Sequence, residues 1–286
     1  MNPNSEDNNI SKNISSALLK LASALEWHEK NITPKIVKTV SVVADVFSRI
    51  DFDKIQKWAN IFSNLSYMSL LKDLKLPLFL IDNSAMQKEI IDACEKTLDE
   101  RKAVEIALKY CDSTFIDGIL AYWNKCESIS TDRKSILQEA LFLHKERRYY
   151  ASTSILMCQI YGFVTDMNKV AKKKGLILDY EDKKAVAEHF SIKEENINSE
   201  KGLLAQMTTL PEEGNMVWIM IAEYIIKEIL CSSDSKTRWA TQPLRNKICH
   251  GSQLNFNTEE HSLKAVLVID ILIQLIEQLK EVEITE

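Results

Sequence analysis

Segment after segment of this chain places apolar residues three and four positions apart, the spacing that lines one face of an α-helix. Ile14 to Ala24 and Ile36 to Phe47 read as a helical hairpin, because Thr33 can cap the second helix and Pro34 can open it. Ile55, Trp58, Ile61, Phe62 and Leu65 mark a third helix within Phe52 to Leu74, ending ahead of Pro77. Leu76 to Ile81 is a short apolar run of ambiguous type. Ser84 reads as the cap of a helix over 85–97, and further helices fit 99–110 and 113–126. The polar run from Glu127 to Asp132 marks a boundary, after which a helical passage begins near Arg133, breaks near Arg148 and stops at Gly175.

The stretch from Ile177 to Leu210 is more polar, with a cap-like Ser191-Ile192-Lys193-Glu194 and a turn at Glu212-Glu213-Gly214 beyond it. It reads as an insertion near 177–212. Val217 to Leu230 is again apolar and helical. Asn257-Thr258-Glu259-Glu260 reads as an N-cap followed by a carboxylate three residues on, opening a long helix through Leu263, Val266, Leu267, Ile269, Ile273, Ile276 and Leu279.

Six glycines and five prolines in 286 residues leave few breakers, so the expected fold class is all-α. That length is generous for one helical domain, and 45% hydrophobic residues can fill two cores. The expected division is a disordered tail over 1–13, a helical N-terminal domain over 14–130 and a helical bundle over 131–286. The tail is polar and acidic without the apolar centre of a signal peptide, and the most apolar run, Ala265 to Ile276, carries Asp270 and Gln274. Neither a membrane span nor secretion is expected. Six scattered cysteines, with no C-x-x-C pair, suggest neither a zinc site nor a disulfide framework, and fit a reduced, cytoplasmic protein.

A formal charge of −5 supplies no global field for nucleic acid, so any RNA contact must be local. Lys145, Arg147, Arg148 and Lys172 to Lys174 are basic, but read first as a solvated helix face and a helix end. No Walker-type or G-x-G-x-x-G loop is present, so neither ATP hydrolysis nor a nucleotide cofactor is expected.

The chemistry concentrates in Pro243-Leu244-Arg245-Asn246-Lys247-Ile248-Cys249-His250-Gly251. A permanently charged guanidinium, an amide and an imidazole fall within two helical turns, ahead of a glycine able to end the helix. His250 can take a proton from a ribose 2′-hydroxyl while Arg245 holds the phosphate as its charge grows, and this route needs no metal. Five residues of ideal helix rotate a side chain by roughly 140 degrees, so the two meet one substrate only if the helix is irregular, ends before His250, or is complemented by a second subunit. Lys247 and Arg238 are candidate RNA contacts, and Trp239 is expected to pack in core or interface. The remaining histidines show no metal-ligand spacing; His28 and His189 read as lying on polar surfaces, and His261 as sitting where positive charge is disfavoured.

Arg245-Asn246 followed after three residues by His250-Gly251, late in a helical domain, resembles the R-x4-6-H signature of HEPN domains (higher eukaryotes and prokaryotes nucleotide-binding). Glu139-Ala140-Leu141, Tyr149-Tyr150-Ala151 and Ile155 to Gly162 are similar to the paired first helices of such domains, so the resemblance spans about residues 133 to 283. Tyr161 stands where many members carry an acid just before the glycine. The resemblance implies a metal-independent endoribonuclease with Arg245, Asn246 and His250 at its site, completed across a homodimer, to which the long apolar last helix would lend surface. It also implies a setting in prokaryotic defence or a toxin system, with an antitoxin or defence partner. The alternative is a non-catalytic helical module that binds a nucleotide or a protein.

Overall fold

The computed structural model describes residues 65–176, 178–207 and 215–281, and every regular element among them is helical. The hairpin expected over Ile14 to Phe47, the tail over 1–13, His28 and the turn at Glu212 to Gly214 lie outside the described residues. The chain divides into two compact units, Met1–Ser69 and Leu70–Glu286. Of the first unit, residues 65–69 are described and are helical.

The second unit opens on helical residues 70–73, followed by residues 74–83 in irregular backbone, where Leu74, Leu76 and Leu78 are buried around Pro77. That resolves the ambiguous apolar run as a buried loop. Helix α1 (Ser84–Cys94) follows, capped by Asn83, whose side chain accepts from the Met86 amide. The cap is therefore one residue earlier than Ser84. Helices α2 (Glu100–Tyr110) and α3 (Ser113–Lys125) are each capped by an aspartate, Asp99 and Asp112, that accepts two first-turn amides.

Helix α4 (Thr131–Lys145) is capped by Ser130, and after a left-handed Arg147 the chain turns into α5 (Tyr149–Lys173), which stops before the left-handed Gly175. The polar stretch beyond it folds as α6 (Tyr180–His189), a single 3-10 turn at Glu194–Asn196 and α7 (Glu200–Met207). His189, expected on a polar surface, is half-buried, and burial lowers its pKa. Helix α8 (Asn215–Tyr224) runs into a π-helical turn at Ile225–Ile229. Two short helices, α9 (Lys236–Thr241) and α10 (Arg245–Cys249), precede the long α11 (Glu259–Glu281).

The core forms where α11 packs on α5, with α2, α3 and α4 against α11 and with α4, α7 and α10 against α5. Helix α11 is buried almost all round from Leu263 to Ile273, enclosed by its neighbours rather than exposing one face. It has no broad apolar face left for a second subunit, which corrects the expectation that this helix lends surface to a dimer. Its one mid-helix acid, Asp270, is buried and accepts from the Trp123 indole at 2.8 Å and from Gln274 at 2.6 Å. Burial raises the Asp270 pKa, and both hydrogen bonds oppose that rise. Trp123 belongs to α3 and Asp270 to α11, and the Ser128 amide likewise donates to Glu277, so the polar run 127–132 lies within the second compact unit.

The N-cap of α11 is Thr258, not Asn257: its hydroxyl accepts from the amide of His261, which occupies the position expected for a carboxylate. His261 is fully buried, with Nε2 donating to the Trp239 carbonyl at 2.9 Å and Nδ1 at 2.5 Å from the Thr258 hydroxyl. Burial lowers its pKa, in keeping with a neutral ring at a helix N-terminus. Among the described residues no helix is long and apolar enough to cross a membrane.

Candidate functional site

Helix α10 is five residues long, too short to hold itself together. Its backbone is clamped from outside. The fully buried Gln253 accepts from the Leu244 amide at 3.0 Å and donates to the carbonyls of Trp239 at 2.8 Å and Gln242 at 2.9 Å. One amide group thus fixes the entry to α10 and the exit from α9. Lys264, almost fully buried, donates to the Thr241 carbonyl and pairs with Glu260, both at 2.7 Å, so α11 also satisfies the last carbonyls of α9.

The far end of α10 closes by hydrogen bonds from the Ser252 amide to the Lys247 carbonyl at 2.8 Å and from the Gly251 amide to the Ile248 carbonyl at 3.0 Å. This is a Schellman closure, and Gly251 takes the left-handed conformation it demands, at φ +71. His250 is the C-cap, with its residue exposed. The helix therefore ends before His250, one of the three conditions under which Arg245 and His250 can serve one substrate.

Arg245 opens the helix and points with Cys249, one turn on, towards α5 and α7. Its Nη2 lies 2.8 Å from Glu200 Oε1 on α7, and its Nη1 donates to Asn246 Oδ1 at 2.7 Å. The Glu200 contact is an ion pair rather than an aligned hydrogen bond, since Glu200 Oε1 and Arg245 Nε are both buried without a hydrogen-bond partner. Burial raises the Glu200 pKa and the Arg245 charge pulls it back. Asn246 lies one turn before His250, whose amide bonds to the Asn246 carbonyl at 3.0 Å. Arg245 and Asn246 are thus joined directly, and Asn246 and His250 share the next face of the helix.

Lys247 and Arg238 are not brought to this group. Lys247 Nζ pairs with Asp234 at 2.5 Å. Arg238 donates to the Lys227 carbonyl at 3.0 Å, contacts Cys231 Sγ at 3.4 Å and pairs with Glu228 at 3.4 Å, so it braces the π-helical turn. Trp239 is half-buried and donates to the Ser233 carbonyl at 2.8 Å. Among the described residues, no three His, Cys, Asp or Glu side chains are grouped as metal ligands.

Glu200 gave no signal in the sequence, where it lies in the polar stretch read as an insertion. It reaches Arg245 because Gly202 lets α7 press on the preceding turn: a Cβ there would stand 2.0 Å from the Ile197 carbonyl oxygen. The other unforeseen pair is Cys158 on α5 and Cys249 on α10, with sulfurs 3.5 Å apart. Beside them lies an exposed aromatic and apolar rim. Tyr161 sits one turn beyond Cys158, and the Tyr150 hydroxyl donates to the Leu254 carbonyl at 2.8 Å while its ring packs edge-on against Phe256.

No protein-family model, curated protein or solved structure matches this chain.

Proposed function

We propose that this chain is a metal-independent endoribonuclease of the HEPN type, with His250 moving the proton, Arg245 holding the phosphate and Asn246 positioning it. The observation that carries the reading is the Arg245–Asn246 hydrogen bond at 2.7 Å one turn from an exposed imidazole at a helix end. An acid/base group and a charged phosphate ligand then flank one amide that can orient either. In-line attack by the ribose 2′-hydroxyl breaks the P–O5′ bond and leaves a 2′,3′-cyclic phosphate and a free 5′-hydroxyl. Lys247 and Arg238 would reach RNA only after leaving Asp234 and Glu228.

Assembly of two copies fits the exposed Tyr150, Tyr161 and Leu254 on the face that carries Cys158. A homodimer through that rim would bring two copies of α10 to one cleft. Glu200 supplies, from α7, a carboxylate beside Arg245 in a chain whose α5 has Tyr161 where an acid is common in the resembled family. By the same likeness the setting is prokaryotic defence or a toxin system, with an antitoxin or defence partner.

A second reading, a non-catalytic module that binds a nucleotide or a protein, is favoured by one observation: the Arg245 guanidinium is already engaged by Glu200 and Asn246. The two separate on incubation of purified protein with total RNA in EDTA, followed by analysis of the ends. Cleavage with 2′,3′-cyclic phosphate termini supports the ribonuclease. Intact RNA, or cleavage that appears only when magnesium is restored, refutes it.

A further inference from the structure

Cys158 and Cys249 are remote in sequence and 3.5 Å apart at sulfur. Both residues are exposed, whereas Cys94, Cys111 and Cys126 are buried and Cys231 is half-buried against Arg238. They join α10 to its main support, α5, and Cys249 lies one turn after Arg245 and immediately before His250. A disulfide needs its sulfurs about 2.05 Å apart, so closing this pair requires about 1.5 Å of movement shared between the two helices. Helix α5 is a 25-residue element packed in the core, and α10 is five residues held at its ends, so α10 yields.

We propose that Cys158 and Cys249 are a reversible oxidation site whose closure to an intramolecular disulfide draws α10 towards α5 and displaces Arg245 and His250. The oxidant is a peroxide. Cys158 as thiolate attacks it, the O–O bond breaks, sulfur becomes sulfenic acid, and the other oxygen leaves as water or alcohol. Cys249 then attacks that sulfur, forming the S–S bond and releasing water that carries the hydroxyl and the thiol proton. Two electrons pass from the sulfurs to the peroxide. Burial and the contact with Cys158 push the Cys249 thiol up to about 11.

Only the effect on cleavage rests on the ribonuclease reading. The test treats reduced full-length protein with hydrogen peroxide, blocks residual thiols and maps tryptic peptides without reduction. Peptides 149–169 and 248–264 are expected as one linked species, cleaved by dithiothreitol and absent from Cys158→Ser. The His250 ring resonance in NMR is expected to shift on oxidation of the parent and to stay in place in Cys158→Ser. Cleavage of RNA is expected to fall about 100-fold on oxidation, the effect of a displacement of about 1 Å at a reacting group. Sulfinic or sulfonic acid at either cysteine without the linked peptide overturns the proposal, as does a linked peptide with an unmoved His250 resonance. If reduced protein leaves RNA intact, the ribonuclease reading alone falls, and the linked peptide and the resonance still decide the oxidation site.

Discussion

Arg245 and Glu200 form an ion pair 2.8 Å long between α10 and α7, with side chains only 20% and 13% exposed. The pairing couples structure to the proposed chemistry, because the guanidinium that would hold a phosphate also neutralises a carboxylate drawn from water. Removing Arg245 has two consequences that must be told apart.

Arg245→Ala is expected to lower stability by about 1–3 kcal/mol, the usual cost of an abandoned buried partner, and also to abolish RNA cleavage. Glu200→Gln added to Arg245→Ala should recover most of the lost melting temperature and none of the cleavage. Thermal melts and cleavage rates of the two single variants and the double variant form the measurement. Recovery of cleavage in the double variant would assign Arg245 a structural role only.

His250 caps α10 through its backbone, and its exposed ring takes no part in the Schellman closure. His250→Ala should therefore leave the melting temperature nearly unchanged while cleavage falls about 100- to 10,000-fold. Gly251→Ala should do the reverse in its first effect, costing about 1 kcal/mol by forcing a Cβ into the left-handed region. A His250→Ala protein that cleaves RNA normally ends the catalytic reading.

Gly202→Ala tests how Glu200 is delivered. A Cβ at 2.0 Å from the Ile197 carbonyl oxygen cannot be accommodated without moving α7, so the substitution should cost about 1–3 kcal/mol. Its crystal structure or NMR spectrum should show Glu200 withdrawn from Arg245. Parental stability would mean that the turn at Ile197 yields freely and does not set the position of α7.

Stability should also depend on pH through His144. Its Nδ1 lies 2.8 Å from Ser262 Oγ, which donates to Ser152 Oγ at 3.0 Å, and burial pushes its pKa down from 6.5 to about 4. Between these values the unfolded chain binds a proton that the folded chain refuses, so stability present above pH 6.5 is lost as pH falls, by about 3 kcal/mol at most. His144→Gln should flatten the dependence of melting temperature on pH between about 7 and 4.5. A parent protein equally stable at both ends of that range would refute the assignment.

The features legible in the sequence are those fixed by local chemistry. Gly175 stops α5, Arg148 marks the break before it, and Gly251 ends α10, because a left-handed residue or a lost helical hydrogen bond is decided within a few positions. Caps are less certain when neighbours compete: Asn83 outranks Ser84, and Thr258 outranks Asn257. The residues around the site were not legible. Glu200 meets Arg245, Cys158 meets Cys249 and Gln253 bridges two helices only because distant elements pack together, and nothing in their local sequence announces a partner. The periodicity of α11 gave its helical character, but its burial on every side depends on how many helices surround it.

Gln253 lies downstream of every residue it holds in place. A chain emerging from the ribosome exposes Arg245, Asn246 and His250 before the side chain that fixes them, and a five-residue helix does not persist in water on its own. The same holds for His261 and Lys264, which reach back to the carbonyls of Trp239 and Thr241. During synthesis the constellation thus stays unassembled until the start of α11 is available to close it. A chain truncated before residue 253 would carry the entire motif in its sequence and none of its geometry.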